Sequence, residues 1–245
     1  MMKNPLNTFK LALVAVISVL LFTSETAAQR NNGTNLPKFD RRQYHFGFIL
    51  GYNSSNFALQ RTPDFEFTDS LLAINLSPQP GFNLNLLASY DPVPNFHIRF
   101  FPGLSFQDRN IEYTFLNSDF STSTEIRRIE SVYLDLPINF KFRTNRSKNF
   151  AAYMLTGGKY SLDMQSQKNV NQELSANQII KIIDYDYSVD IGGGFDFFLE
   201  YFKLSLEFKS CIGIPNLLIK DDTIFSRNVN SLRSRAFVFS ITFEG

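Results

Sequence analysis

The chain has 245 residues, which suits one large domain or two small ones. Its formal net charge of +1 gives no global field for nucleic acid, and a single cysteine, Cys211, excludes both an intramolecular disulfide and a cysteine-based zinc cluster. Phenylalanine is the unusual component, with 27 copies and no tryptophan in the chain. So many phenyl rings must either fill a very aromatic core or coat an outer surface.

The first residues predict a secretory signal peptide. Lys3 and Lys10 precede an apolar run over Leu11–Phe22, and small residues follow up to Ala28. The run has about 12 residues, whereas a membrane-spanning helix needs about 20, so a cleaved signal is favoured over a retained anchor. We therefore predict a signal peptide over residues 1–28 and export of the chain. The polar residues 29–43 are predicted to form a flexible periplasmic lead-in.

From Tyr44 onward, apolar and polar residues alternate with a period of two, which predicts strands with one apolar and one polar face. The regular stretches are Tyr44–Asn53, Phe82–Tyr90, Phe96–Phe106 with Pro102-Gly103 inside it, Val132–Phe142, Tyr185–Phe197, Phe202–Lys209 and Phe237–Phe243. The stretch from Asn149 to Asp163 is less regular, and Gly157-Gly158 predicts a bulge or a close approach there. The total is about eight strands, each near the roughly 10-residue length of a tilted membrane strand.

Short and long connections alternate along the chain. The long ones are predicted over Ala58–Gln79, Gln107–Arg128, Met164–Asp184, with a possible short helix at its C-terminal side, and Pro215–Asn230. A soluble lipocalin-like barrel shares the alternation of residues. However, phenylalanines on nearly every apolar face would overfill a small interior, and short periplasmic turns with long extracellular loops are typical of membrane barrels.

The sequence therefore predicts an all-β fold: an eight-stranded antiparallel transmembrane up-and-down β-barrel over residues 44–245. The expected location is the bacterial outer membrane. The apolar faces meet lipid and the polar faces line the lumen. The last strand is expected to pair with the first, because an apolar strand with a free edge invites aggregation.

Charged residues collect on the lumen-facing parity. They are Arg99, Asp135, Lys141, Asp190, Asp196, Lys203, Glu207 and Lys209. We expect them to pair with one another, since unpaired charges in a narrow lumen are costly and about eight strands leave little room for a conducting path. The glycines of Gly192–Phe197 lack the Lys and Ser/Thr of a phosphate loop and are expected to pack the lumen.

The two histidines, His45 and His97, are expected to share one level near the periplasmic end. Barrel hydrolases use a histidine with a serine and an acid, but the sequence shows no serine beside either histidine, so a lumen hydrogen-bond network is favoured. No catalytic, cofactor-binding or metal-binding residue and no cofactor is predicted. Arg233 and Arg235, on the lipid-facing parity near the extracellular rim, are expected either to meet lipopolysaccharide phosphates or to be plain rim charges.

Several blocks resemble the PorT family, outer-membrane proteins of the type IX secretion system that also serves gliding motility. The blocks are YHFGFILGYN at Tyr44–Asn53, FHIRFFPGLSF at Phe96–Phe106, YLDLPINFKFRTNRSKN at Tyr133–Asn149, GGKYSLD at Gly157–Asp163, LEFKSCIGIPNLL at Leu206–Leu218 and the closing SLRSRAFVFSITFEG. The resemblance covers nearly all of the mature chain.

The resemblance implies a non-enzymatic component needed to export proteins that carry a C-terminal sorting signal, acting through contacts of its loops and rim with other secretion components. It assigns no residue a chemical role. Small porin-like barrels share several of these features. A generic small barrel with a structural or adhesive role therefore stays open, as does a lipid-modifying barrel enzyme. The expected partners are outer-membrane lipid, lipopolysaccharide and other secretion components, and no nucleic acid.

Overall fold

The computed structural model describes residues 33–61, 71–117, 119–165, 182–219 and 229–245. The predicted signal peptide, residues 29–32 of the lead-in, most of the possible helix and residues 62–70 and 220–228 lie outside these ranges. In the described part of the chain no helix is long and apolar enough to cross a membrane.

The described chain forms one ring of antiparallel strands. They are β1 (Tyr44–Arg61), β2 (Leu71–Val93), β3 (Phe96–Phe100), β4 (Gly103–Leu116), β5 (Thr122–Arg143), β6 (Phe150–Asp163), β7 (Tyr185–Phe198), β8 (Lys203–Gly213) and β9 (Val229–Glu244). β3 and β4 together occupy one position, because the strand breaks only at Phe101-Pro102 and both halves lie between β2 and β5. The barrel is therefore eight-stranded, as predicted.

The last strand closes the ring. β9 pairs with β1, with Phe243 opposite Phe48 and Phe237 opposite Ser54, and it pairs with β8 on its other side. Both edges of the sheet therefore have hydrogen-bond partners, which removes the hazard of an apolar terminal strand.

The predicted facing of the strands is confirmed at the level of the barrel wall. Phe140 and Phe239 are 40% and 46% exposed on the outside, whereas their neighbours Asn139 and Ser240 are 0% and 2% exposed inside. An apolar band thus surrounds a polar lumen, as expected where the outer solvent is lipid. Tyrosines lie at both margins of this band: Tyr44 and Tyr90 at one end, and Tyr160, Tyr185 and Tyr187 at the other.

The two ends of the barrel differ. At one end the strands are joined by short turns between β2 and β3, β5 and β6, and β7 and β8, and we call this the short-turn end. At the other, here the long-hairpin end, β1 and β2 pair out to Ser55 and Gln79, and β4 and β5 pair out to Leu116 and Thr122. The prediction of loops over Ala58–Gln79 and Gln107–Arg128 was therefore wrong for most of both ranges. Continuous backbone pairing carries these strands beyond the apolar band.

The tip of the β4–β5 hairpin is a tight turn. The Asn117 N–H donates to the Ser121 carbonyl at 2.8 Å, and Phe120 takes a positive φ of 61°. The Ser121 hydroxyl and N–H both donate to the Asp119 carboxylate, which lowers the pKa of Asp119. Phe120 is 86% exposed at this tip.

β6 runs without a register shift against β5, so a bulge at Gly157-Gly158 is not formed. The close approach is real at Gly157, where a Cβ would lie 2.2 Å from the Ile138 carbonyl oxygen and 2.3 Å from Asn139 Oδ1. The sequence of this strand lacks a regular alternation because apolar side chains lie on both faces: Tyr153 and Leu155 point into the lumen, whereas Met154 faces out.

Candidate functional site

The lumen at mid-height is crossed by buried ion pairs. Arg99 Nη1 lies 2.7 Å from Glu207 Oε2, and Lys141 Nζ lies 2.8 Å from Asp196 Oδ1. All four side chains are at most 1% exposed. The pairs are joined by Tyr153, whose hydroxyl donates to Glu207 at 3.1 Å and whose ring lies 3.6 Å from the Lys141 ammonium.

Further pairs continue the network towards both ends. Lys159 Nζ is 3.2 Å from Asp135 Oδ2, and Lys209 Nζ is 3.7 Å from Asp190 Oδ2. Lys203 Nζ donates to Glu244 Oε1 at 2.8 Å, which ties the penultimate residue to β8. Opposite charges in a low-dielectric lumen satisfy one another only through such close contacts.

Glycines make room for the large lumen side chains. A Cβ at Gly194 would lie 2.7 Å from the Tyr153 hydroxyl, and one at Gly192 would lie 2.7 Å from the Lys209 Cβ. These glycines pack the lumen, as predicted.

The two histidines meet at one carboxylate near the short-turn end. His97 Nδ1 lies 2.7 Å from Asp91 Oδ1, and His45 Nε2 lies 3.4 Å from Asp91 Oδ2. The Ser89 hydroxyl donates to Asp91 at 2.6 Å. A serine nucleophile needs its hydroxyl on an imidazole, and here the hydroxyl is on the carboxylate instead. The predicted shared level and hydrogen-bond network of the histidines are confirmed.

The end of the lead-in is packed into the short-turn end of the barrel. A 3-10 turn over Phe39–Arg41 places the Phe39 ring, 6% exposed, in a stack on His45 with ring centroids 3.8 Å apart. The Lys203 ammonium lies over the same ring, 4.5 Å from the Phe39 centroid. Below it, Asp40 Oδ1 accepts a hydrogen bond from Arg143 at 2.7 Å.

This packing differs from the flexible lead-in that the sequence predicted. Asn35 adds two anchors, since its N–H donates to Asn149 Oδ1 at 2.8 Å and its side-chain amide donates to the Phe198 carbonyl at 2.9 Å. The physical reason is that Phe39 covers the apolar rings at the barrel end while Asp40 neutralises a buried arginine. The described part of the lead-in, residues 33–43, thus plugs the short-turn end of the lumen, and we call this segment the stopper.

The long-hairpin end is filled by apolar side chains. The buried cluster comprises Phe57, Ile74, Ile111, Tyr113, Ile182, Leu217, Leu218, Val229 and Leu232. Residues from the connecting segments complete it: Ile182 bridges to Leu218, and the Leu217 N–H donates to the Leu232 carbonyl at 2.8 Å. Burial raises the pKa of the Tyr113 phenol, so this group stays neutral in the cluster.

Arg109 marks the boundary between the apolar cluster and the charged lumen. Its guanidinium lies 4.8 Å from the Phe57 ring centroid and donates to the Tyr133 hydroxyl at 3.0 Å. Two cavities of about 10 Å³ each lie just beneath, both lined by Lys159 and Cys211. Each has room for about one water molecule.

All eight lumen charges named from the sequence are buried in the lumen. Sequence reasoning missed Asp91, Lys159 and Glu244. Parity offered a signal for two of them, since Asp91 continues the inward series of Leu87 and Ser89, and Glu244 continues that of Ser240 and Thr242. Phe39 and Asp40 gave no such signal, because they lie in a segment without alternation. Among the described residues, no group of three or more His, Cys, Asp or Glu side chains is placed to hold a metal ion.

The family described as outer membrane protein beta-barrel domain matches residues 27–218, most of the chain. The chain belongs to this family. This assignment agrees with the apolar outer band and locates the protein in the bacterial outer membrane.

Solved barrels of other bacteria are similar to this member of the outer membrane protein beta-barrel family. The outer membrane protein OprG from Pseudomonas aeruginosa is 11% identical, with 82% of this chain and 94% of that chain covered and a TM-score of 0.47. Ail, the attachment invasion locus protein of Yersinia pestis, is 12% identical, with 83% and 100% covered and a TM-score of 0.37. No curated protein sequence matches the chain significantly.

Proposed function

We propose that this protein is a non-conducting, non-enzymatic outer-membrane barrel that acts through the surfaces at its two ends. The observation that carries the proposal is a lumen filled at three levels. Phe39 lies in the short-turn end, the Arg99–Glu207 pair crosses the middle, and the apolar cluster around Ile111 fills the long-hairpin end. A solute could cross the lumen only by displacing all three layers. We therefore place the function at the two ends of the barrel and not in the lumen.

The general rule for outer-membrane barrels places short turns in the periplasm and long loops outside the cell. The β4–β5 hairpin then projects from the cell surface with Phe120 at its tip. Exposed aromatic side chains are frequent anchors in protein interfaces, and this supports a structural or adhesive role for the projecting hairpins. Cysteines placed at Asp119 and Asn145 test the orientation with an impermeant thiol reagent on intact cells. Labelling at Asp119 with protection at Asn145 is expected, and the reverse pattern would contradict it.

The non-enzymatic part of the proposal is supported by the Ser89–Asp91–His97 geometry. Its serine hydroxyl faces a carboxylate and its histidines are 1% and 2% exposed, so neither is open to an outer-leaflet lipid. Release of fatty acid or phosphate from lipid A by the purified protein, abolished by Ser89→Ala, would overturn this view.

The non-conducting part is tested in planar lipid bilayers. The wild-type protein is expected to show no stepwise ion conductance. A variant lacking residues 33–42 is expected to stay closed as well, because the ion pairs and the apolar cluster remain. Steady single-channel steps from the folded wild-type barrel would overturn the proposal.

Type IX secretion is the second candidate, and the PorT-like blocks favour it. The most distinctive block, Tyr133–Asn149, forms the lower half of β5 and the turn on which Asn35 and Asp40 dock. Secretion would then depend on contacts of the lead-in, the turns or the projecting hairpins with other components.

Gene deletion followed by analysis of the secreted proteins separates the two candidates. Loss of cargo with the C-terminal sorting signal is expected for a secretion component, and an unchanged secreted set would remove this candidate. Complementation sharpens the test. The lumen variant Arg99→Met with Glu207→Leu should restore secretion, whereas deletion of residues 33–42 or Phe120→Ser should not. Heat-modifiable gel mobility checks that each variant folds.

A further inference from the structure

The outer surface above the apolar band has two differently charged faces. On one face, Arg128 of β5 is neutralised by two carboxylates, with Asp108 Oδ2 at 2.5 Å from Nη2 and Glu130 Oε1 at 3.1 Å from Nε. On the other face, Arg233 and Arg235 of β9 are both exposed and point outwards. Their cross-strand partners are the uncharged residues Asn56 and Ala58 on β1 and Ile212 on β8.

Arg235 stands at the margin of the apolar band. Its guanidinium lies 5.4 Å from the ring centroid of Phe237, the uppermost outward phenylalanine of β9. Tyr187, one of the tyrosines at this margin, belongs to β7, the strand beyond β8, where the Ile214 N–H donates to its carbonyl at 2.8 Å. Arg233 lies two residues farther from the band on the same face. The pair is therefore at the level where lipid headgroups replace acyl chains.

We propose that Arg233 and Arg235 form a binding site for the phosphates of lipopolysaccharide in the outer leaflet. The planar guanidinium matches phosphate geometry and makes charge-assisted hydrogen bonds with it. In the described chain, neither arginine has a carboxylate as its cross-strand partner. Both positive charges are therefore available to an external anion. The Phe237 ring beneath Arg235 gives the acyl chains an apolar surface directly below the phosphate. The site rests on the orientation proposed above, in which the long-hairpin end lies outside the cell, and it does not depend on an adhesive or a secretion role.

The Arg128 face provides the matched control within the same molecule. Arg128 also points outwards above the band, yet its two carboxylates already occupy its donors and make the local charge negative. A phosphate is expected to bind beside Arg233 and Arg235 and not beside Arg128. The proposal therefore predicts one preferred side of the barrel for phosphorylated lipid.

The test uses the full mature protein in nanodiscs of neutral lipid, with bisphosphorylated lipid A as the probe and native mass spectrometry as the readout of bound lipid. The double variant Arg233→Gln/Arg235→Gln is expected to lower lipid A affinity roughly 30-fold, since each basic side chain near an anionic surface contributes about fivefold. Arg128→Gln should change it less than about twofold. Arg233→Lys/Arg235→Lys should bind lipid A with an affinity between those of the wild type and the glutamine variant, because it keeps both charges but loses the planar guanidinium. Dephosphorylated lipid A should bind the wild type as weakly as the double variant binds lipid A.

Three outcomes would overturn the proposal. One is undiminished lipid A binding by a folded double variant. Another is an equal loss on Arg128→Gln, which would show that any surface arginine suffices. The third is equal affinity for phosphatidylglycerol or displacement by millimolar inorganic phosphate, which would show a general phosphate site and not one for lipopolysaccharide. Heat-modifiable mobility confirms folding, and the lysine variant keeps the charge test valid if the glutamines destabilise the strand.

Discussion

The barrel wall and the long-hairpin end are built from the same strands, yet their apolar side chains face opposite ways: outwards in the wall and inwards at the long-hairpin end. In the wall, phenylalanines such as Phe106 face outwards and polar residues such as Ser105 are buried. Farther along β4, Ile111 and Tyr113 are buried inside while Glu112 faces out. β9 changes in the same way, from outward Phe237 to inward Leu232.

The difference shows that the solvent on each side decides the pattern. Where lipid surrounds the barrel, apolar side chains belong outside and the interior is left to paired charges. Where water surrounds the hairpins, the apolar side chains turn inwards and form a core of the kind found in soluble proteins. The point along β4 and β9 at which the apolar residues switch from the outward to the inward face therefore marks the membrane surface.

The largest effect is expected from leaving one lumen charge alone. Glu207→Leu removes the partner of Arg99, which is buried and stays charged, and this should cost about 3–5 kcal/mol of unfolding free energy. Adding Arg99→Met should recover most of the loss, because two apolar groups then replace the pair. Denaturant unfolding in lipid vesicles measures both. A single variant as stable as the wild type would show that the pair is not buried as described.

The apolar cluster should respond as a soluble core does. Ile111→Ala is expected to cost about 2–5 kcal/mol through lost burial and the cavity left behind. The neighbouring Glu112→Ala, on the outward face of the same strand, should stay within about 0.5 kcal/mol. Thermal or urea unfolding of the two variants makes the comparison, and equal costs would contradict a packed core at this end.

The apolar band should reject charge from its outside. Phe140→Arg and Phe239→Arg are each expected to cost about 2–4 kcal/mol, because arginine is transferred into lipid at these sites. Asn75→Arg, on an exposed outward position of the projecting part of β2, serves as the control and should cost little. Folding titrations into vesicles give the values. If Asn75→Arg were as costly as the phenylalanine variants, the band would extend farther than the parity change indicates.

The smallest effect is expected at the stopper. Asp40→Asn weakens a pair in which Asp40 is partly exposed, so the cost should be about 1 kcal/mol and confined to the short-turn end. Faster amide hydrogen exchange over residues 35–42, with the strands unchanged, is the expected signature. Exchange that rises across the whole barrel would show that the segment is part of the cooperative fold.

Most of the barrel was predictable because lipid imposes a period-two pattern on long strands. The eight positions in the ring, the closure by β9 and the facing of Phe140 and Phe239 all followed from parity. The burial of the eight lumen charges followed from parity as well, but parity did not predict which charges pair with each other. Parity places Asp135 and Lys141 on the same face, whereas strand stagger decides that Lys141 meets Asp196 and Asp135 meets Lys159.

The remaining features depend on contacts that no local pattern reveals. The hairpin strands beyond the band were interpreted as loops, because their apolar residues change parity and polar residues dominate their outer face. Phe39 and Asp40 dock through shape and charge at a barrel end where Phe198 and Arg143, more than a hundred positions away in the chain, lie beside the nearby His45. Such docking cannot be predicted from local sequence, because the surface that binds this segment forms only when the ring of strands is closed.

A lipid and water accessibility scan along β4 tests the inversion of sidedness most directly. Single spin labels from Leu104 to Tyr113 are measured in reconstituted barrels with oxygen as the lipid-soluble relaxant and a water-soluble nickel chelate. We predict strong oxygen access at Leu104 and Phe106, strong nickel access at Asn110 and Glu112, and low access to both reagents at Ile111 and Tyr113. Oxygen-dominated relaxation at Asn110 and Glu112, or nickel access at Ile111 equal to that at Glu112, would contradict it.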